Sequence, residues 1–208
     1  MWTVIVPVKP ASVGKSRLGA DPGLVRAIAL DTIDAALAAR RVDRVLVVTS
    51  DLSLETAADL VAEPAPAGLA AAIATGLRAA DPDAPRAVLL GDLPSLRSGD
   101  LDDALHRAEA VPTGFVADRE RTGTTLVTAR AGVELRHAFG ADSARRHREL
   151  GVAEIVPAAG STLPLDIDTA EHLAATPGLG RRTSAALAGP GDLVDDDAGI
   201  GRSRRSGR

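Results

Sequence analysis

The chain has 208 residues, with 24 Lys and Arg against 28 Asp and Glu for a formal charge of −4; 45% of it is apolar, it has no cysteine, and its only aromatics are Trp2, Phe115 and Phe139. That length suits one hydrophobic core, and the missing thiols exclude a disulfide scaffold, a thiolate metal site and a cysteine nucleophile. The acidic balance with so few rings for base stacking argues against a nucleic-acid binder. No apolar run is long enough for a membrane span, and Met1 to Val8 lacks the basic region and cleavage site of a secretory signal, so a cytoplasmic protein is expected.

Short, continuous apolar runs predict strands over residues 3–8, 44–49, 86–90, 114–117, 125–128 and 152–156, of the kind covered on both faces. Between the first four, apolar residues at helical spacing predict helices over 21–40, 52–61, 68–80 and 98–110, the first opened by Asp21 as cap and Pro22 at the first helical position. Alanine fills 40 positions, which favours helices packed closely on an aliphatic sheet. This alternation implies crossover units and a three-layer, mainly parallel α/β sheet. Two strands close together before a short helix over 142–150 suggest that an antiparallel strand joins it. From Gly189 the composition turns to Gly, Asp, Ser and Arg, so 1–188 reads as one domain and 189–208 as a disordered tail.

After the first strand comes Lys9-Pro10-Ala11-Ser12-Val13-Gly14-Lys15-Ser16-Arg17-Leu18. Its Gly-Lys-Ser end resembles a phosphate-binding P-loop, but the required glycine five residues before Gly14 is Lys9, and Gly19, Pro22 and Gly23 interrupt the helix that should follow. Only two of the 24 basic residues are lysines, and both lie in this loop. Lys9, Lys15 and Arg17 at the mouth of an α/β sheet could wrap a triphosphate; a solvated basic loop is the plainer alternative.

The run over 86–90 leads into Gly91-Asp92-Leu93-Pro94, which puts an acid at the ligand-binding edge of the sheet. In Asp166-Ile167-Asp168 an extended backbone turns both carboxylates to one side while Ile167 anchors the other. Three such carboxylates suit Mg²⁺, which takes oxygen ligands and shares them with phosphates; alternatively Asp92 forms a turn and Asp168 caps a helix over 169–174. Gly140 and Ser143 before the 142–150 helix, with Gly123-Thr124-Thr125, offer N–H and hydroxyl groups to an anion. His147 reads as packing rather than as a catalytic base.

Together, Val6-Pro7-Val8-Lys9 with Gly14 to Leu18, Gly68-Leu69, Gly91 to Pro94, Gly123 to Thr125, Phe139-Gly140 with Ser143-Ala144, and Asp166 to Thr169 resemble, in order, the CofC/FbiD family. Its members are guanylyltransferases acting on phosphoenolpyruvate or 2-phospho-L-lactate in coenzyme F420 biosynthesis. The resemblance implies a Rossmann-like nucleotidyltransferase fold of the nucleotide-diphospho-sugar transferase type. It also implies GTP as donor, bound through Lys9, Lys15, Arg17 and Gly68, with Lys15 and Asp92 as catalytic residues. Mg²⁺ would lie on Asp92, Asp166 and Asp168, and the acceptor on Thr124 or Thr125, Gly140 and Ser143. A downstream transferase of the same pathway would take the unstable product. Relatives often carry Asn where this chain has Ala70.

The chemistry matches the inventory, because a phosphate is already an anionic nucleophile and needs positioning and charge neutralisation rather than a base. Two other readings remain at this level. One is a nucleotidyltransferase that activates molybdopterin or a sugar phosphate, although a sugar-nucleotide enzyme usually has a Gly-x-Gly-x-Arg loop where this chain has Lys-Pro. The other is a non-catalytic GTP-binding regulator.

Overall fold

The computed structural model describes residues 1–8, 21–63, 65 and 67–188. In chain order they form β1 (Trp2–Pro7), α1 (Pro22–Leu37), β2 (Val42–Thr49), β3 (Asp59–Ala62), α2 (Leu69–Ala79), β4 (Arg86–Leu89), α3 (Ser98–Ala108), β5 (Thr113–Ala117), β6 (Thr124–Ala129), α4 (Ser143–Glu149), β7 (Ala153–Glu154), α5 (Ala170–Ala175) and α6 (Arg181–Ala188). The seven strands make one sheet in the order β3-β2-β1-β4-β6-β5-β7. Pairing is parallel except at β6, which runs against both β4 and β5. The antiparallel strand expected from the sequence is therefore β6.

Alternation along the strands divides the aliphatic core between two faces. Val4 and Val6 of β1, Val45 and Val47 of β2 and Leu89 of β4 pack with Leu30 and Ile33 of α1 and Leu101 and Leu105 of α3. Ile5, Leu46, Val48 and Val88 point the other way, against Ala72 and Ile73 of α2 and Ala144 of α4. Ile5, Ile33, Leu46, Ile73, Leu89 and Leu101 are fully buried, and truncating any such side chain to Ala typically costs ~2–5 kcal/mol. Small residues bring the helices close to the sheet: a Cβ on Gly76 of α2 would overlap the Ile5 side chain.

Asp21 caps α1 as the sequence suggests, its carboxylate accepting from Gly23 N with Pro22 in the first turn. The expected helix over 52–61 is not formed: a turn is followed by β3, which pairs parallel with β2 at the sheet edge. The reason is local side-chain competition for the backbone. Ser53 N donates to Asp51 Oδ1 and Ala58 N to Thr56 Oγ1, while the free edge of β2 offers Leu60 and Val61 a ladder. α6 lies outside the elements that the sequence pattern predicts. Asp31 of α1, 9% exposed, takes the backbone N–H groups of Arg182 and Thr183 on its two carboxylate oxygens, so the helix is capped by a residue about 150 positions away.

Candidate active site

Parallel strands that end together leave a crevice at their carboxyl ends. Here it is a cavity of about 420 Å³. Its walls come from the ends of β1 (Pro7, Val8), β3 (Glu63) and β4 (Gly91, Asp92), the start of β6 (Gly123, Thr124), the first turn of α2, the approach to α4, and Asp166 and Asp168.

The Asp166–Asp168 segment is tied through its backbone to the loop that follows β4, Ile167 N donating to Asp92 O at 3.0 Å. Ile167 is fully buried and packs with Ile28 and Leu173, so the flanking carboxylates turn to the cavity as the two-residue spacing requires. Arg119 secures the same segment, its Nη2 donating to Asp166 O and to Thr176 Oγ1. The cap of α5 is Thr169, whose Oγ1 accepts from His172 N, so Asp168 does not serve that purpose.

Asp166 is 8% exposed and its Oδ1 has no hydrogen-bond partner among the described residues. Burial, and then the charges of Asp92, Asp168, Asp118 and Glu120, push its carboxyl up to about 7. Oxygens of Asp118, Glu120 and Asp166 all come within 4.8 Å of one another. Asp118 also shapes the β5–β6 turn by accepting from Thr122 N and Gly123 N; a Cβ on Gly123 would overlap its carboxylate. An all-oxygen set with a partnerless buried carboxylate oxygen fits a hard divalent cation. Asp118 and Glu120 went unremarked in the sequence, although Asp118 follows a buried strand just as Asp92 nearly does.

On the β6 side of the cavity, Thr124 and Ser143 are both buried and line it. Thr125 is also fully buried but does not line it, because strand alternation turns neighbouring side chains to opposite faces. Behind Thr124 stands His147, fully buried, stacked on Phe115 and edge-on to Phe139. Burial, reinforced by His137 and Arg146, pulls its imidazole down to about 4, so it is neutral near pH 7. Ala138 N donates to Nε2 at 2.9 Å, which leaves the proton on Nδ1, 3.0 Å from Thr124 Oγ1. Thr124 therefore accepts from the ring, and Ser143 Oγ lies 3.0 Å from the same hydroxyl. The pair retains one hydroxyl proton to offer a ligand. With Ser143 donating to Thr124, that proton belongs to Thr124 and the wall is a donor suited to an anion.

Gly140 sits beside this pair at φ +113°, a left-handed backbone that favours glycine, and it also lines the cavity. Gly68 lines the far end at φ +94°, heading α2. Asp92, Asp166, Asp168, Thr124, Gly140, Ser143 and Gly68 thus share one cavity, while Lys9, Lys15 and Arg17 lie outside the described residues. Glu63, which also lines the cavity, stands in none of the sequence motifs.

The MobA-like NTP transferase domain matches residues 25–155. Phosphoenolpyruvate guanylyltransferase of Streptomyces coelicolor is 42% identical over 203 residues, covering 90% of this chain and 96% of that protein. A candidate nucleotide-diphospho-sugar transferase of Desulfovibrio desulfuricans has the same fold, with a TM-score of 0.57 at 16% identity over 74% of this chain and 79% of that one. So has Rv0371c of Mycobacterium tuberculosis, solved in complex with manganese, with a TM-score of 0.55 at 18% identity over 83% of this chain and 95% of that one. The chain belongs to the MobA-like NTP transferases and, within them, to the phosphoenolpyruvate guanylyltransferase family that its ordered motifs resemble.

Proposed function

We propose that the protein transfers GMP from GTP to the phosphate of phosphoenolpyruvate, releasing pyrophosphate, as a cytoplasmic step of coenzyme F420 biosynthesis. The observation that carries the reading is one cavity lined both by the carboxylates around Asp166 and by the Thr124–Ser143 hydroxyl pair held by a neutral histidine, in a chain 42% identical to an enzyme of that name.

In this reading Thr124, Ser143 and Gly140 grip the acceptor and turn a phosphate oxygen toward the α-phosphorus of GTP. That oxygen forms the new P–O bond as the bond to the β-phosphate oxygen breaks, and pyrophosphate leaves with the electron pair. The attacking group is already ionised, so no side chain removes a proton. The neutral His147 holds the Thr124 hydroxyl and adds no charge. Lys9, Lys15, Arg17 and Gly68 bind the nucleotide, and Lys15 offsets charge built up during transfer. Asp92, Asp166 and Asp168, with Asp118 and Glu120 beside them, would hold Mg²⁺ or Mn²⁺. The ion would lower the repulsion between the two anionic substrates. The product is an unstable phosphoanhydride in which GMP and the acceptor phosphate are joined through P–O–P, and a downstream transferase would take it directly.

Incubation with GTP, Mg²⁺ and a panel of phosphorylated three-carbon acids, followed by mass spectrometry, tests the reading. The expected product is the guanylyl adduct of phosphoenolpyruvate, with one pyrophosphate per turnover. A pool dominated by the phospholactate adduct changes the acceptor, whereas nucleotide binding with no pyrophosphate from any acceptor leaves a GTP-binding regulator.

A further inference from the structure

Glu63 stands at the carboxyl end of β3, where its backbone N–H donates to Thr49 O at 2.9 Å and extends the β2–β3 ladder by one bond. The residue lines the cavity and is only 7% exposed, and its Oε1 has no hydrogen-bond partner among the described residues. A buried carboxylate oxygen without a donor is costly unless a ligand supplies one. The metal reading does not use this residue: the cluster around Asp166 comprises Asp118 and Glu120, with Asp92 and Asp168 as further charges, and Glu63 is in neither group.

Strand order gives its distance from the chemistry. β3 lies three strands from β4, which leads to Asp92, and β6 with Thr124 is one strand further, so at ~4.8 Å per strand Glu63 is on the order of 14 Å along the sheet from the carboxylates. An acceptor held at Thr124 and a reacting phosphate near Asp92 leave the β3 end for the rest of the nucleotide. Its surroundings there suit a flat ring: Leu69 and Ala72 are apolar, and none of the described residues fills the space that a side chain would occupy at Gly68.

We propose that Glu63 is the guanine-selecting residue, its carboxylate accepting from the N1–H and the exocyclic N2 amine of the base. This rests on the guanylyltransfer reading of the same cavity. An ionised carboxylate only accepts, so it pairs best with a base edge that presents two adjacent donors. Of the four common bases, guanine alone has such a Watson–Crick edge. Adenine and cytosine each set a ring-nitrogen lone pair against the carboxylate, and uracil offers one N–H between two carbonyls.

The test compares GTP, ITP, which lacks the N2 amine, N1-methyl-GTP and ATP as donors to phosphoenolpyruvate, for wild type, Glu63→Gln and Glu63→Ala. A lost hydrogen bond to a charged group should make ITP at least ~10-fold poorer than GTP in kcat/KM for wild type. In Glu63→Ala the GTP-to-ITP ratio should fall toward one, with the KM for phosphoenolpyruvate unchanged. Unaltered ratios in both variants, or equal use of GTP, ITP and N1-methyl-GTP by wild type, overturn the proposal. The ligand-side comparison needs no variant, so misfolding of either substitution does not decide the outcome. Wild type inactive with every nucleotide would sink the transfer reading; calorimetric affinities of wild type for GTP and ITP then decide the role of Glu63, and equal values or no binding reject it.

Discussion

His147 Nδ1 lies 3.0 Å from Thr124 Oγ1, and because Nε2 is taken by the Ala138 N–H, the threonine can only accept from the ring. The ring thereby turns the Thr124 hydroxyl proton away from itself, toward Ser143 or the cavity, without contacting the ligand. His147→Phe keeps a planar ring between Phe115 and Phe139 and removes both nitrogens. The expected effect is a rise of roughly tenfold in KM for phosphoenolpyruvate, as for one lost hydrogen bond to an anion, with KM for GTP unchanged. An unchanged acceptor KM would reduce His147 to packing.

The same histidine gives a stability signature. Its ordinary value is 6.5 and its folded value about 4, so the unfolded chain binds the extra proton between those pH values. The contribution is complete above pH 6.5 and is lost as pH falls toward 4. His147→Phe should flatten the loss of melting temperature over that interval relative to wild type, as read by calorimetry.

Asp166 acts in the opposite sense. Its carboxyl is raised from 3.8 to about 7 by burial and its acidic neighbours, so in metal-free protein its stabilising contribution is complete below pH 3.8 and is lost as pH rises through 7. Asp166→Asn should make chelator-treated protein melt higher than wild type at pH 8, by roughly 4 °C for about 1–2 kcal/mol in a chain of this size. The difference should shrink at pH 5 and when Mg²⁺ is added to wild type. A variant less stable than wild type at pH 8 would contradict the charge-repulsion account.

Turnover should show the complementary pattern. Asp92→Asn, Asp166→Asn and Asp168→Asn each remove a charge while preserving shape, and each should slow pyrophosphate release about a hundredfold or more. Near-wild rates in all three, measured with Mg²⁺ present, would exclude these residues as the metal's ligands.

Asp31 is the junction between α1 and α6. Asp31→Ala leaves the N–H groups of Arg182 and Thr183 unpaired, and Thr183 is fully buried, so a loss of ~1–3 kcal/mol is expected from urea unfolding. Ending the chain after Ala188 retains α6 and should leave melting temperature and rate unchanged. A large loss would assign residues 189–208 a docking role.

The sequence alone determined the layered α/β plan, because buried parallel strands require continuous aliphatic runs and such runs are visible without knowing their partners. It also determined that Asp166 and Asp168 share a side about Ile167, a consequence of two-residue alternation. Helical spacing failed over 52–61, where Asp51 and Thr56 take backbone N–H groups and β2 offers a free edge; both effects depend on neighbours that periodicity does not register. Sequence likewise could not separate Thr124 from Thr125, since either threonine suits an anion and only strand orientation says which one meets the cavity. The carboxylates of Asp118 and Glu120 reach Asp166 across some fifty residues, His147 acquires its neutral tautomer from Ala138 and its burial, and Glu63 finds its place because β3 joins the sheet edge. These were settled by tertiary structure alone, because charge repulsion, proton placement and desolvation depend on distances in space that residue order does not contain.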